Sequence, residues 1–245
     1  MSRLREEAGM TIMEVLTACT VGLIVLGAMF TLLDSTVRMN TNVMRKTDAM
    51  QRGRLAMDVL TQELRSQVCL DNLAGTAVIA GATADRVEFY SDFSNGDGTE
   101  PPTKRRLWFD PATGDIKTSI FLATNQVPRA GDFQIDPSRT NMRLENAARQ
   151  LRGDGTEVPF LQYFAYRWVG NPPRPEASEV LTPPLDANEA RRVARIDINF
   201  VAQPTGVEDR KKGVDLSDQI MARHSDPNLA RWDPINPSLP DPRCV

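Results

Sequence analysis

The chain has few of the residues that build metal and catalytic sites. Its 245 residues include one histidine, His224, and three cysteines, which leaves few ligands for a transition metal. It contains no P-loop, no nucleophile elbow and no Cys-x-x-Cys pair. His224 lies next to Ser225 and near Asp226, but a catalytic triad is assembled in space and not in adjacent sequence. The sequence therefore predicts no enzyme, no metal site and no cofactor.

A strong excess of positive charge is also missing. The formal net charge is −3 and the isoelectric point is near 5.4, so the composition does not favour nucleic acid as a direct partner. The only basic runs are Lys104-Arg105-Arg106 and Arg210-Lys211-Lys212. Both are short, and we expect them to be solvated turns.

One long stretch has no charge at all. No charged residue occurs between Val15 and Leu33, a length that suffices to cross a bilayer as a helix. Glu14 lies at the start of this stretch, where a carboxylate is costly in lipid and indicates a functional site with a partner. No small-x-small cleavage site follows the stretch, which argues against an ordinary cleaved secretory signal. The small pair Ala8-Gly9 precedes it instead.

Proline is absent from Met10 to Leu70, so the chain is predicted to be helical over this range. Residues 10–33 form the apolar part and residues 34–70 an amphipathic part. The amphipathic part repeats apolar residues at helical spacing, namely Val43, Met50, Met57, Leu60, Leu64 and Val68. We expect Glu63 and Arg65 to lie on its opposite, polar face.

Strand patterns dominate residues 71–245, the predicted head. They predict a three-stranded meander around residues 87–93, 106–109 and 116–120, with turns at Ser94–Gly98 and Asp110–Asp115. They also predict a second small sheet from residues 159–169 and 192–201. A short helix is expected near Arg143 to Leu151. The prolines near the C-terminus exclude regular helix or central strand there. The predicted fold class is α+β: a long N-terminal helix packed on an antiparallel sheet, with a second small sheet.

The segment Gly9-Met10-Thr11-Ile12-Met13-Glu14-Val15-Leu16-Thr17-Ala18 resembles the signal of type IV prepilins. The resemblance implies that residues 1–9 are a leader, that prepilin peptidase cuts after Gly9, and that Met10 becomes the N-methylated mature N-terminus. Phenylalanine is usual at the position of Met10. Glu14 would be the fifth mature residue. In a helix bundle that excludes water, its carboxylate can pair with the Met10 amine of a neighbour and set the axial register.

The segment Arg52–Arg65 is similar to the helix end of larger minor pilins and pseudopilins, the PilW group and the J-type group of type II secretion. The resemblance implies a single-pass protein of the cytoplasmic membrane whose head lies outside the cytoplasm. The subunit would then join a cell-surface or periplasmic filament. Its expected partners are prepilin peptidase, other pilin or pseudopilin subunits, the inner-membrane assembly platform and membrane lipid. Pili, DNA uptake and type II secretion all remain open as the machine.

Two alternatives accompany this interpretation. The chain could be a membrane-anchored extracytoplasmic enzyme or receptor domain whose signal anchor is not cleaved. The cysteines also leave a choice, because Cys69 and Cys244 are the available pair in an oxidising compartment but could equally be two free thiols. Cys19 lies in the apolar stretch and is expected to be a small buried hydrophobic residue.

Overall fold

The structure is a computed structural model that describes residues 11–68, 70, 79–92, 101–129, 131–170, 174–205 and 213–222. The chain divides into two units, Met1–Arg45 and Lys46–Val245. The prolines after residue 223, the predicted turn Ser94–Gly98, the basic run Arg210–Lys212 and His224 lie outside the described residues.

The predicted N-terminal helix is confirmed. Helix α1 runs from Ile12 to Arg65, five residues short of the predicted end. After it, Gln67 forms a bridge with Ser91, and the Val68 amide donates to the Tyr90 carbonyl at 3.0 Å. The chain leaves the helix because these backbone groups pair with a strand instead of continuing the helical ladder.

Two antiparallel sheets follow, and each has five strands. Sheet A is a meander in the order β1-β2-β3-β4-β5. Its strands are β1 (Ile79–Ala82), β2 (Arg86–Ser91), β3 (Thr103–Asp110), β4 (Asp115–Ala123) and β5 (Phe133–Leu144). The predicted meander corresponds to β2, β3 and β4, to which β1 and β5 add the two edges.

Sheet B has the order β10-β9-β7-β8, and β6 pairs with β9 outside this path. Its strands are β6 (Ala147–Ala148), β7 (Leu161–Val169), β8 (Arg174–Leu181), β9 (Val193–Ala202) and β10 (Val214–Met221), with the short helix α2 (Ala187–Arg192) between β8 and β9. The predicted strands at 159–169 and 192–201 correspond to β7 and β9. Sheet B therefore has as many strands as sheet A.

One core joins the C-terminal part of α1 to both sheets. Met57, Leu60 and Leu64 of α1 are buried, as their spacing predicts, together with Ala49, Gly53 and Ala56. They belong to one apolar cluster with inward side chains of both sheets, among them Phe89, Leu107, Ile116, Tyr163, Ile196, Ile198 and Phe200. The alternation in β9 thus buries Ile196, Ile198 and Phe200 on one face, as predicted.

Tyr163 connects the two sheets by a polar contact inside this core. Its hydroxyl donates to the carbonyl oxygen of Thr83 at 3.0 Å and lies 3.3 Å from that of Arg86. The side chain is fully buried, and burial, with the charge of Asp85, raises the pKa of Tyr163 far above its usual range. A buried phenol needs such a partner, since an unsatisfied hydroxyl would cost more than the bond contributes.

The predicted turn between β3 and β4 is confirmed and contains a glycine that the backbone requires. Gly114 has a φ of +71°, and an added Cβ would lie 2.7 Å from the carbonyl oxygen of Ala147. The Ala147 amide donates to the Gly114 carbonyl. This turn therefore contacts the start of sheet B at a distance that only glycine permits.

Three sequence predictions are wrong. Residues 143–151 form the end of β5, then β6 and a bridge at Leu151, not a helix, because tertiary strand pairing overrides local propensity. Lys104, Arg105 and Arg106 lie within β3 and not in a turn. Glu63 is buried, with 4% of its surface exposed, and does not lie on a solvated face.

Candidate assembly interface

The uncharged stretch of α1 presents apolar side chains that no other described residue covers. None of its most apolar 18 consecutive residues is buried within the structure. The large exposed side chains of this stretch are Val15, Leu16, Val21, Leu23, Ile24, Val25, Leu26, Met29, Phe30, Leu32 and Leu33. Cys19 is exposed on the same surface. Among the described residues α1 is the one helix long and apolar enough to cross a membrane, a property that signal sequences share.

Hydroxyl groups along this surface are satisfied within the helix itself. Thr17 donates to the Met13 carbonyl at 3.0 Å, Thr20 to the Leu16 carbonyl at 3.1 Å, and Thr31 to the Ala28 carbonyl at 2.8 Å. An apolar environment requires every polar group to find such an internal partner. The threonines therefore do not oppose burial of this surface in lipid or against other helices.

Glu14 lies in the first turn of α1 and is exposed. The Thr11 amide and the Thr11 hydroxyl each lie 3.5 Å from Oε2 of Glu14, at the outer limit of a hydrogen bond. The Thr11 carbonyl accepts from the Glu14 amide at 3.0 Å. This is the backward half of a capping box, in which the third helical residue reaches the amide of the capping residue.

The sequence contained the signal for this cap, since Thr11-Ile12-Met13-Glu14 matches the pattern [ST]-x-x-E. A carboxylate here also lies at the positive end of the helix dipole. Glu14 is held only weakly by Thr11, and among the described residues it has no ion pair.

The other predicted site residues lie outside the described part of the chain. These are Gly9 and Met10 at the expected cleavage site, and Cys69 and Cys244, the expected disulfide pair.

Charged residues reappear just after the apolar stretch, where Arg38 pairs with Asp34 at 2.9 Å on an exposed surface.

Sequence reasoning missed a buried ionic cluster at the end of α1. Nη2 of Arg143, in β5, donates to Oε1 of Glu63, and Nη1 of Arg105, in β3, lies 3.6 Å from the same oxygen. Nε of Arg143 donates to the Thr118 hydroxyl at 2.8 Å. The Glu63 carboxylate therefore contacts side chains from two strands of sheet A.

The electrostatics of this cluster follow from its burial. Desolvation lowers the pKa of Arg105, Glu63 opposes that shift, and the positive charge of Arg143 adds to it. A carboxylate shared by two guanidinium groups offsets part of the cost of removing their charges from water. The cluster therefore anchors the helix end to sheet A by its charge and not by apolar contact alone.

A polar groove runs along the solvent side of the same helix end. It has a volume of about 620 Å³ and is lined by Asp58, Thr61, Gln62, Arg65, Ser66, Asp92 and Asp218. The Thr61 hydroxyl donates to Asp218 at 3.0 Å. In the part of the chain that the structure describes, no group of three or more histidine, cysteine, aspartate or glutamate side chains is placed to hold a metal ion.

These features define an α+β protein with a long N-terminal helix, apolar in its first part, and two antiparallel sheets. This set of elements is compatible with a pilin-like protein. A scan against protein-family models finds no match, and a search of curated proteins finds none.

Proposed function

We propose that the chain is a minor pilin or pseudopilin, a subunit of a type IV pilus-like or type II secretion filament. The observation that carries the proposal is the uncovered, uncharged surface of α1 with one carboxylate, Glu14, at its start. A membrane span alone has no use for that carboxylate. A helix that leaves the membrane for a bundle of similar helices can use it to align its neighbours.

The proposed sequence of events begins with insertion in the membrane and cleavage by prepilin peptidase after Gly9. Cleavage frees the α-amine of Met10, which is then methylated. In the filament, the amine of one subunit meets Glu14 of the next, and the apolar surface packs laterally. The weak contact between Thr11 and Glu14 would give way to this pairing.

Mass spectrometry of the mature N-terminus tests the cleavage. The expected mature protein begins at methylated Met10, and Gly9→Val should abolish processing. Ala8→Val places the same side chain one residue earlier and should leave processing intact. A mature protein that retains Met1 would contradict the proposal.

Filament incorporation tests the role of Glu14. Glu14→Ala should leave the protein in the membrane and reduce its recovery in sheared filaments at least tenfold. Asp34→Asn removes another carboxylate of the same helix, which lies beyond the apolar stretch, and should incorporate normally. Full incorporation of Glu14→Ala would remove the register role.

The head supports a minor rather than a major subunit, because two five-stranded sheets are bulky for a densely repeated subunit. We place it at or near the filament tip, and abundance equal to that of the major subunit would overturn this position. The alternative function, a membrane-anchored extracytoplasmic enzyme or receptor domain, predicts an uncut N-terminus and an anchor that any unrelated span can replace.

A further inference from the structure

We draw no further inference here: the strongest candidate, the polar groove beside the C-terminal end of α1 with its three carboxylates Asp58, Asp92 and Asp218, is an acidic cluster for which no second feature of the described residues points to a ligand.

Discussion

Gly53 of α1 and Ala202 of β9 approach each other so closely that no side chain fits at residue 53. An added Cβ would lie 2.7 Å from the Cβ of Ala202 and 2.4 Å from Cδ1 of Leu216. Beside this contact, Nη2 of Arg52 donates to the Thr205 hydroxyl at 3.1 Å. The glycine is required by the distance between helix and sheet, since a helix interior would otherwise favour alanine.

Gly53→Ala should therefore destabilise the head. Overpacking of this kind costs about 1–3 kcal/mol, and the better helix propensity of alanine returns about 1 kcal/mol at most. Urea denaturation followed by circular dichroism measures the difference. Gly81→Ala is the control, because no atom lies within 4 Å of an added Cβ there. Equal midpoints for the two variants would contradict the close contact.

Glu63→Gln should be more damaging, since it removes the carboxylate that Arg105 and Arg143 share. Breaking a buried ion pair on one side costs about 3–5 kcal/mol. Asp58→Asn removes an exposed carboxylate of the same helix and should change stability by less than about 0.5 kcal/mol. Adding Arg143→Met to Glu63→Gln should restore part of the loss, and a further decrease would argue against charge as the cause.

Tyr163→Phe tests the polar contact between the sheets. The loss of the hydroxyl leaves the Thr83 carbonyl without its donor, at an expected cost of about 1–2 kcal/mol. Tyr166→Phe is a matched control on the outer face of the same strand and should be nearly neutral. If both variants unfold at the same denaturant concentration as the unaltered protein, the buried bond does not contribute to stability.

Glu88 should make the head sensitive to acid. Burial alone would raise its pKa, but Lys104 at 2.6 Å and Arg106 at 2.7 Å outweigh burial and lower the pKa of Glu88 below its ordinary value of 4.5. A lowered pKa in the folded state stabilises the protein above the unfolded value, and this contribution is lost as the pH falls through the folded pKa.

Unfolding free energies between pH 7 and pH 3 measure this effect. Glu88→Gln should lose about 1–2 kcal/mol at pH 7 and should show a shallower decline below pH 4.5. The exposed carboxylate Glu176 supplies the control Glu176→Gln, which should decline like the unaltered protein. Parallel declines for all three proteins would exclude Glu88 as a source of acid sensitivity.

The basic run Lys104-Arg105-Arg106 shows why the partners of a strand's side chains are harder to predict than the strand itself. Three consecutive cations suggest a solvated turn. Instead, β3 directs Lys104 and Arg106 toward Glu88 on one face, while Arg105 reaches Glu63 on the other. Each cation is satisfied by a carboxylate that lies at least 16 residues away in the chain, so no local window contains the pairing.

By itself the sequence determined the features that depend on near neighbours. These features are the absence of charge from Val15 to Leu33, the seven-residue and four-residue spacing in the second part of α1, and the alternation in β2 and β9. Each of them is a pattern within a single helix or strand. The Asp110–Asp115 turn belongs with them. Only the tertiary structure decided the burial of Glu63, the strand at Arg143 and the glycine at residue 53. These depend on partners brought together from distant parts of the chain, because a buried charge or a close backbone approach is stable only when the opposite surface supplies its match.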